Sequence, residues 1–393
     1  MACSSRRVAV RPLRSLAVRL AVVQEQILAP VPGGTGRYTR ELTEALASTA
    51  PAGAQIAGWT AWYRDVDAAR VPGVAGPTRL PLPRRVLAEA WRRGVGPGPR
   101  GADVVHAPTL QVPPRSSAAL VVTVHDAVPW THPETMTPRG VVWHRAMADH
   151  AAARAAAIVV PTQAVAAELT GHLPVAGRVH VVGEGVTDRL AVPADAGARR
   201  RALDLPADGY LLSLATLEPR KGLDVLLQAL ATSGAPQVPL LLVGQPGWGG
   251  VDPLHAAAQL GLPAGRVRVL GRLSDADLAT VLAGATALVM PSRAEGFGLP
   301  VLEAMAAGVP VVSSEAAALV EVGGGATVTT PVGDAGALAR ALSRVVADDV
   351  LRAGLVAAGR TRAAAFSWAD AARRMWELYA SLEHPSGRPR GRP

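Results

Sequence analysis

The segment from Ala287 to Ser313 constrains the fold most, because it predicts four structural elements in an order typical of α/β proteins. An apolar run, ALVM, indicates a buried strand, and a loop with two glycines around Phe297 follows it. Pro300 then opens an apolar segment that predicts a helix, which Gly308 ends before a second apolar run, VPVV. This order places a helix N-terminus at the C-terminal edge of a parallel sheet, where anionic ligands bind.

Two carboxylates flank the glycine loop with seven residues between them, Glu295 in the loop and Glu303 in the predicted helix. If Pro300 is the first helical residue, Glu303 lies in the first turn of the helix, at the ligand end. A carboxylate there can accept two hydrogen bonds from a vicinal diol, and Glu295 can bind a second polyol. The alternative is that Glu303 only compensates the helix dipole and Glu295 is a solvated loop residue.

The stretch EGFGLPVLEAMAAGVPVV resembles the E-x7-E donor-site motif of the retaining glycosyltransferases with the GT-B fold, of the group 1 or family 4 type and mannosyltransferase-like. The resemblance implies that Glu303 binds the ribose hydroxyls of a nucleotide sugar and that Glu295 lies by the transferred sugar. It also implies that the loop and the helix N-terminus face the donor, which adds Gly296, Phe297, Gly298 and Leu299 to the candidate donor site.

The implied fold is α/β with the GT-B architecture, in which two doubly wound Rossmann-like domains face a cleft and a C-terminal helix crosses back to the first domain. The length of 393 residues suits about two domains. We expect a flexible basic extension over residues 1–15, an acceptor-side domain over 16–192 and a linker over 193–207. A nucleotide-sugar-binding domain over 208–365, a crossover helix over 366–383 and a disordered tail over 384–393 follow.

Composition limits the other classes of function. Hydrophobic residues make up 49% of the chain and charged residues 18%, which is typical of a globular protein. The single cysteine, Cys3, excludes an intramolecular disulfide and a cysteine metal cluster. Aromatic residues amount to 4%, which argues against a stacking platform for single-stranded nucleic acid. The net charge of +9 suits anionic partners such as nucleotide phosphates or an acidic lipid surface.

The sequence predicts a cytoplasmic protein with peripheral contact to the inner face of an anionic membrane. It has no apolar run of about 18 residues, and arginines interrupt any signal-like segment at the N-terminus. Residues 64–100 are rich in proline and arginine, with a short helix predicted over 84–93 that contains Trp91. A basic helix with an indole suits anionic headgroups or an acidic acceptor, but a solvated surface helix is the favoured interpretation.

The first predicted strand, over residues 16–23, leads through a loop to the segment GGTGRY and then to a helix. Glycines between a strand and a helix let a ligand approach the backbone closely, although a tight turn explains them equally well. The segment lacks the full G-x-G-x-x-G fingerprint of dinucleotide sites. In the resembled family this loop faces the cleft, which makes Gly33, Gly34 and Arg37 candidates for contact with donor phosphate or acceptor.

Two further predicted strands, over 102–106 and 118–125, each end in a histidine at the edge that faces the crevice. His106 has an alternative interpretation as a buried residue that satisfies backbone groups. The segment TVHDAVP around His125 resembles the family segment whose histidine lies over the transferred sugar. Glu184 stands where family members usually carry Asn, so a sugar contact cannot simply be carried over to this position.

The second half of the chain alternates strands and helices, which predicts a second parallel doubly wound sheet. Arg220 and Lys221 lie just past a predicted strand end, where adjacent cations can neutralise a diphosphate; two surface charges are the alternative. The resembled family has a matching arginine and lysine that hold the donor diphosphate. The family reads the nucleotide base near the turn at Leu273, and Ser274 with Asp277 has capping-box spacing.

These residues predict a hexosyltransferase, with mannose as the expected sugar, that uses a GDP- or UDP-linked donor and a cell-envelope glycan or lipid-linked acceptor. The family retains anomeric configuration, by same-face attack or through a covalent intermediate. The nucleotide sugar is a co-substrate, and we expect no cofactor, no metal and no nucleic-acid partner. Other hypotheses are a nicotinamide-dependent oxidoreductase, a nucleotide-sugar epimerase of the same architecture, and a catalytically degenerate scaffold.

Overall fold

The computed structural model describes residues 18–114 and 117–383. The predicted extension over 1–15 and the predicted tail over 384–393 lie outside these residues. The described chain forms two parallel sheets with helices on both faces. This arrangement confirms the α/β fold with two Rossmann-like sheets.

The first sheet has seven strands in the order β3-β2-β1-β4-β5-β6-β7, and all its pairs are parallel. Its strands are β1 (Arg19–Val23), β2 (Gln55–Trp62), β3 (Ala75–Pro83), β4 (Val104–Ala107), β5 (Ala119–Thr123), β6 (Ala157–Val160) and β7 (Val179–Val181). The helices around it are α1 (Gly33–Ser48), α2 (Arg84–Arg92), α3 (Val128–Thr131), α4 (Pro138–Arg154) and α5 (Gln163–His172).

The second sheet has six parallel strands in the order β10-β9-β8-β11-β12-β13. Its strands are β8 (Leu211–Leu214), β9 (Leu240–Val243), β10 (Val267–Gly271), β11 (Ala287–Met290), β12 (Val311–Ser314) and β13 (Val328–Thr330). The helices that follow the first sheet are α6 (Ala196–Ala202), α7 (Leu223–Leu230), α8 (Pro253–Gln259), α9 (Asp275–Ala283), α10 (Leu299–Ala307), α11 (Ala317–Gly323), α12 (Ala335–Ala347), α13 (Asp349–Ala363) and α14 (Trp368–Glu383).

The last helix crosses back to the first sheet, as predicted. In α14 the indole of Trp376 donates to the backbone carbonyl of Leu46 at the end of α1 (3.1 Å). The hydroxyl of Tyr379 lies 2.7 Å from Nδ1 of His106 on β4. The side chains of Trp376, Tyr379 and His106 are buried. These bonds fasten the end of the described chain to its beginning.

Side chains cap the starts of several helices. Thr162 accepts a hydrogen bond from the N–H of Val165 at the start of α5, and Ser274 accepts one from the N–H of Asp277 at the start of α9. In a capping box the carboxylate would accept a hydrogen bond from the backbone N–H of the N-cap residue. The Asp277 carboxylate instead accepts a bond from the Ser274 hydroxyl and pairs with Arg199.

Two local predictions differ from the structure, at the glycine segment and at the start of α10. The glycine segment, predicted as a loop, is the first turn of α1; Pro32 before it already has helical dihedrals, and Gly33 takes a left-handed φ of 60° that favours glycine. The linker over 193–207 stays a prediction; this segment includes α6, where Arg199 pairs with Asp195 one turn earlier. Helix α10 begins at Leu299, one residue before the predicted start.

Candidate active site

The loop between β11 and α10 lies directly against the first sheet. A Cβ atom on Gly296 would fall 1.8 Å from the carbonyl oxygen of His125, so only glycine permits this approach. The hydroxyl of Thr162 donates to the carbonyl of Gly296 (3.0 Å). The predicted E-x7-E loop is therefore held against the C-terminal edge of both sheets, within one cleft.

Glu295 is the centre of a buried charge cluster. One carboxylate oxygen accepts from Nζ of Lys221 (2.6 Å) and the hydroxyl of Ser292 (2.7 Å), and the other accepts from Nη1 of Arg220 (2.8 Å). Burial alone would raise the pKa of Glu295, but Lys221 and Arg220 outweigh it and lower the pKa to about 2. Glu295 is therefore ionised, with both of its oxygens engaged.

Arg220 is held by three acceptors in this cluster. It donates to the carbonyl of Ala294 (2.7 Å), to Glu295 and to Glu218 (2.8 Å). Burial lowers the pKa of Arg220, but the carboxylates of Glu295 and Glu218 reverse that effect and raise it, so the guanidinium stays charged. A left-handed Gly222 (φ 64°) ends the turn that carries both cations, where a Cβ would meet the carbonyl oxygen of Pro291 at 2.2 Å.

Glu303 is the fifth residue of α10, one residue deeper than a helix start at Pro300 predicts. Its side chain is 4% exposed, and Oε1 accepts from Nη1 of Arg37 on α1 at 2.5 Å. Burial raises the pKa of Glu303, and Arg37 offsets only part of that rise. Arg37 also lies 3.5 Å from Asp275 at the start of α9. The two sequence candidates, Arg37 and Glu303, therefore meet across the cleft.

The remaining loop candidates contribute mainly backbone. Phe297 is buried, with its ring 5.7 Å from that of Phe366, and Leu299 belongs to the same hydrophobic core. Gly298 has a φ of 100° and directly precedes α10. The N–H groups of the first turn of α10, which have no partner within the helix, therefore point towards this loop. Leu273 is half-buried and packs on the same core.

Gly33 and Gly34 border open space, since a Cβ at either position would meet no atom within 4 Å. They open α1 on the side of the cleft from which Arg37 reaches Glu303. A ligand can therefore approach the backbone of this turn without displacing a side chain.

The two histidines have different surroundings. Nε2 of His125 donates to the carbonyl of Pro108 (2.8 Å), and the ring stands edge-on to Tyr38 at a centroid distance of 4.6 Å. His106 is fully buried, and burial lowers its pKa to about 3. The interpretation that His106 faces the crevice is wrong, because its two nitrogens bond to Thr123 and Tyr379 within the core.

Comparison with known proteins gives the family. A model described as Glycosyltransferase Family 4 matches residues 32–189, and a model described as Glycosyl transferases group 1 matches residues 198–362. O-antigen chain mannosyltransferase B of Escherichia coli is 33% identical over 293 residues, which cover 71% of this chain and 74% of that protein. The chain belongs to the group 1 / family 4 glycosyltransferases. Membership confirms the predicted class of enzyme, a retaining glycosyltransferase.

Other relatives of this glycosyltransferase match shorter stretches. The phosphatidyl-myo-inositol mannosyltransferase of Mycolicibacterium smegmatis is 38% identical over 170 residues, 42% of this chain and 43% of that protein. The D-inositol 3-phosphate glycosyltransferase of Streptosporangium roseum is 36% identical over 233 residues, 54% of this chain and 51% of that protein. The chain thus spans about half the length of these two relatives.

Solved structures agree with the GT-B fold. The sucrose-phosphate synthase of Thermosynechococcus elongatus superposes with a TM-score of 0.74 at 26% identity, over 94% of this chain and 100% of that one. Anabaena HepE in complex with UDP-glucose superposes with a TM-score of 0.70 at 20% identity, over 93% of this chain and 100% of that one. The second likeness concerns the fold alone.

Sequence reasoning missed two contributors to the cleft of this glycosyltransferase. Glu218 is 3% exposed and accepts a hydrogen bond from Arg220. Its position in the sequence just before Arg220 and Lys221 was the signal that could have identified it. Trp248, in the loop after β9, donates from its indole to the carbonyl of Thr135 in the first domain (2.7 Å). No local pattern marks Trp248, because its partner lies 113 residues away.

The interpretation of Trp91 as a membrane-docking indole is wrong. Trp91 is fully buried under α2, and its indole donates to the carbonyl of Pro97 (2.8 Å). Across residues 18–114 and 117–383, no helix is long and apolar enough to cross a membrane. In that same part of the chain, no group of three or more His, Cys, Asp and Glu side chains could hold a metal ion.

Proposed function

We propose that this glycosyltransferase moves a hexose, mannose, from a nucleoside-diphosphate sugar to a cell-envelope glycan or lipid-linked acceptor. The observation that carries the proposal is the cluster of Arg220, Lys221 and Glu295 beside the N-terminus of α10, in one cleft with Glu303. Two relatives that match the chain are named mannosyltransferases, and their names support the choice of sugar.

In the proposed mechanism Arg220 and Lys221 hold the donor diphosphate. Lys221 uses one of its three N–H groups for Glu295, and Arg220 uses three of its five in the bonds described above. The remaining donors can face phosphate oxygens. As the bond from the anomeric carbon to the diphosphate breaks, negative charge grows on the leaving group, and both cations and the α10 N-terminus stabilise it.

Glu303 binds the ribose hydroxyls in this proposal, through the oxygen that Arg37 leaves open. Gly33 and Gly34, with Arg37, border the donor from the first domain. Leu273 lies at the turn that contacts the base. Positioning of the nucleotide in this way fixes the sugar between the two domains.

Glu295 and His125 position the transferred sugar against the acceptor hydroxyl. Both oxygens of Glu295 accept bonds from cations, which lowers its nucleophilicity along with its pKa. We therefore favour attack on the face from which the diphosphate leaves, with Glu295 stabilising the cation-like sugar. Proton transfer from the acceptor hydroxyl to a departing phosphate oxygen balances this step.

A transfer assay tests the proposal. Purified enzyme is incubated with GDP-mannose, UDP-glucose, UDP-galactose or ADP-glucose and a short lipid-linked glycan, and the products are analysed by mass spectrometry. We expect one hexose to be added from GDP-mannose, with retention of configuration, and no product with Lys221→Met. An epimerised donor without transfer, or transfer from another donor alone, would contradict the corresponding part of the proposal.

We also propose peripheral contact with the anionic cytoplasmic face of a membrane, through residues other than Trp91. Trp62 is 53% exposed and lies beside Pro83 in the β2–β3 register, next to the start of α2. Val86 is 51% exposed there and follows the exposed Arg85. An exposed indole among arginines suits anionic headgroups. Sedimentation with phosphatidylglycerol vesicles should decrease in Trp62→Ser, whereas equal sedimentation with neutral vesicles would count against this contact.

A further inference from the structure

Glu184 is a buried carboxyl group in the loop after β7 with no evident structural task. Its side chain is 4% exposed. Within the described residues, Oε2 of Glu184 has no hydrogen-bond partner, and Oε1 lies 3.8 Å from Nδ1 of His125. A buried carboxyl group without full hydrogen bonding costs free energy, so a function that needs it is the natural explanation.

The contact of His125 with Pro108 determines the tautomer of the neutral imidazole. A carbonyl oxygen only accepts hydrogen bonds, so Nε2 of His125 carries a hydrogen and donates it to Pro108 (2.8 Å). In the neutral imidazole Nδ1 is then an acceptor, and it faces the carboxyl group of Glu184. An acceptor that faces an ionised carboxylate is repelled, whereas an acceptor that faces a carboxylic acid is offered a hydrogen bond.

We propose that Glu184 is a positioning residue that remains a neutral carboxylic acid and donates its proton to Nδ1 of His125. This bond holds the imidazole ring over the transferred sugar, so the inference rests on the proposed function. The pair closes from 3.8 Å to hydrogen-bonding distance when the sugar fills the cleft, as is common for catalytic contacts.

The groups around the pair favour the neutral acid. Burial raises the pKa of Glu184, His125 lowers it, and the negative charge of Glu295 raises it further. From α1 the pair is faced by Tyr38, whose burial keeps its hydroxyl protonated, and from β4 by His106, whose burial keeps it neutral. A carboxylic acid with a raised pKa keeps its proton at low pH and loses it as the pH rises through that value.

The substitution relative to the resembled family then has a consequence. An asparagine at this position carries an amide, which is a donor at every pH. Glu184 is a donor only while it is protonated, so the bond to His125 is lost on the alkaline side. The turnover of this enzyme should therefore decrease with rising pH as Glu184 loses its proton. An amide side chain at position 184 should abolish that decrease.

The test compares pH profiles of kcat for the intact enzyme, Glu184→Gln and Glu184→Leu. We expect Glu184→Gln to keep turnover at low pH and to lose the alkaline decrease that depends on Glu184. We expect Glu184→Leu to have about tenfold lower turnover than the intact enzyme at low pH, the equivalent of one hydrogen bond, and no decrease at alkaline pH that depends on residue 184, with unchanged binding of nucleoside diphosphate. An unchanged alkaline decrease in Glu184→Gln would overturn the inference. Glu25→Gln is the matched control, because Glu25 is also buried with a raised pKa but bonds to Ala61 and Tyr63.

A second measurement does not require turnover and so separates this inference from the proposed function. Nitrogen-15 NMR of the histidine rings, with His125 assigned from His125→Asn, reports which ring nitrogens carry hydrogens. We expect a neutral ring with hydrogen on Nε2 in the enzyme with bound nucleoside diphosphate, and the same ring in Glu184→Gln. A doubly protonated ring that becomes neutral in Glu184→Gln would mean an ionised Glu184, and would overturn the inference.

Discussion

Arg37 of α1 donates to Glu303 of α10 at 2.5 Å, across the cleft between the two sheets. The bond joins the glycine turn of the first domain to the carboxylate that the E-x7-E resemblance assigns to the ribose. A buried carboxylate without this cation would be strongly destabilising, so Arg37 keeps Glu303 usable before the donor arrives. In the proposed function, the donor site is therefore shared by both domains.

Gly296→Ala should inactivate the enzyme, because the added methyl group would lie 1.8 Å from the carbonyl oxygen of His125. Backbone cannot yield as a flexible side chain can, so the loop with Glu295 must move away. We expect a destabilisation of about 1–3 kcal/mol, together with at least tenfold lower kcat. Thermal unfolding and steady-state kinetics measure the two effects.

The control for this substitution is Gly354→Ala in α13, where a Cβ would meet no atom within 4 Å. It should leave kcat unchanged and raise stability by about 0.5–1 kcal/mol, as a helical alanine does relative to glycine. Normal kcat in a folded Gly296→Ala enzyme would contradict the close packing of the loop on His125.

Glu295 should make the enzyme sensitive to acid. Its pKa is lowered to about 2 from 4.5, so the ionised form stabilises the fold above pH 4.5, and that contribution is lost as the pH falls towards 2. The difference corresponds to about 3 kcal/mol. Urea unfolding of the intact enzyme should therefore lose more stability over this interval than that of Glu295→Gln. Parallel curves for the two proteins would argue against the cluster with Arg220 and Lys221.

Tyr379→Phe should loosen the crossover helix. Its hydroxyl bonds to Nδ1 of the fully buried His106, and removal leaves that nitrogen unpaired, at a cost of about 1–3 kcal/mol. Ser381→Ala on the same helix is the control, since the Ser381 hydroxyl bonds only within α14, to Leu378. Denaturant unfolding should separate the two variants, and equal stabilities would contradict the importance of the link.

Local signals in the sequence predicted much of this molecule. The order of strand, glycine loop and helix over 287–313 appears as β11, the loop and α10, and Gly308 ends α10 in a left-handed conformation. Ser274 also caps the start of α9, as its spacing to Asp277 predicted. These features depend on neighbours within a few residues, so the chain itself carries the information.

Contacts between distant segments could not be predicted in this way. Arg37 and Glu303 are 266 residues apart, and which cation would reach that carboxylate depends on how the two sheets face each other. Trp91 illustrates the converse error, because its arginine neighbours suggested a surface position. The ring is buried in the hydrophobic core of the first sheet. One face of a short helix can pack on the core while the opposite face carries charges into solvent.

We propose that Glu303 binds the ribose of the donor nucleotide, and calorimetric titration with GDP and UDP tests this assignment most directly. We expect one of the two to bind the intact enzyme and Glu89→Ala, an exposed-surface control on α2, with equal affinity. Glu303→Ala should bind it about 10- to 100-fold more weakly, as the loss of hydrogen bonds to a charged group requires. Equal binding by a folded Glu303→Ala protein would contradict the donor site described here.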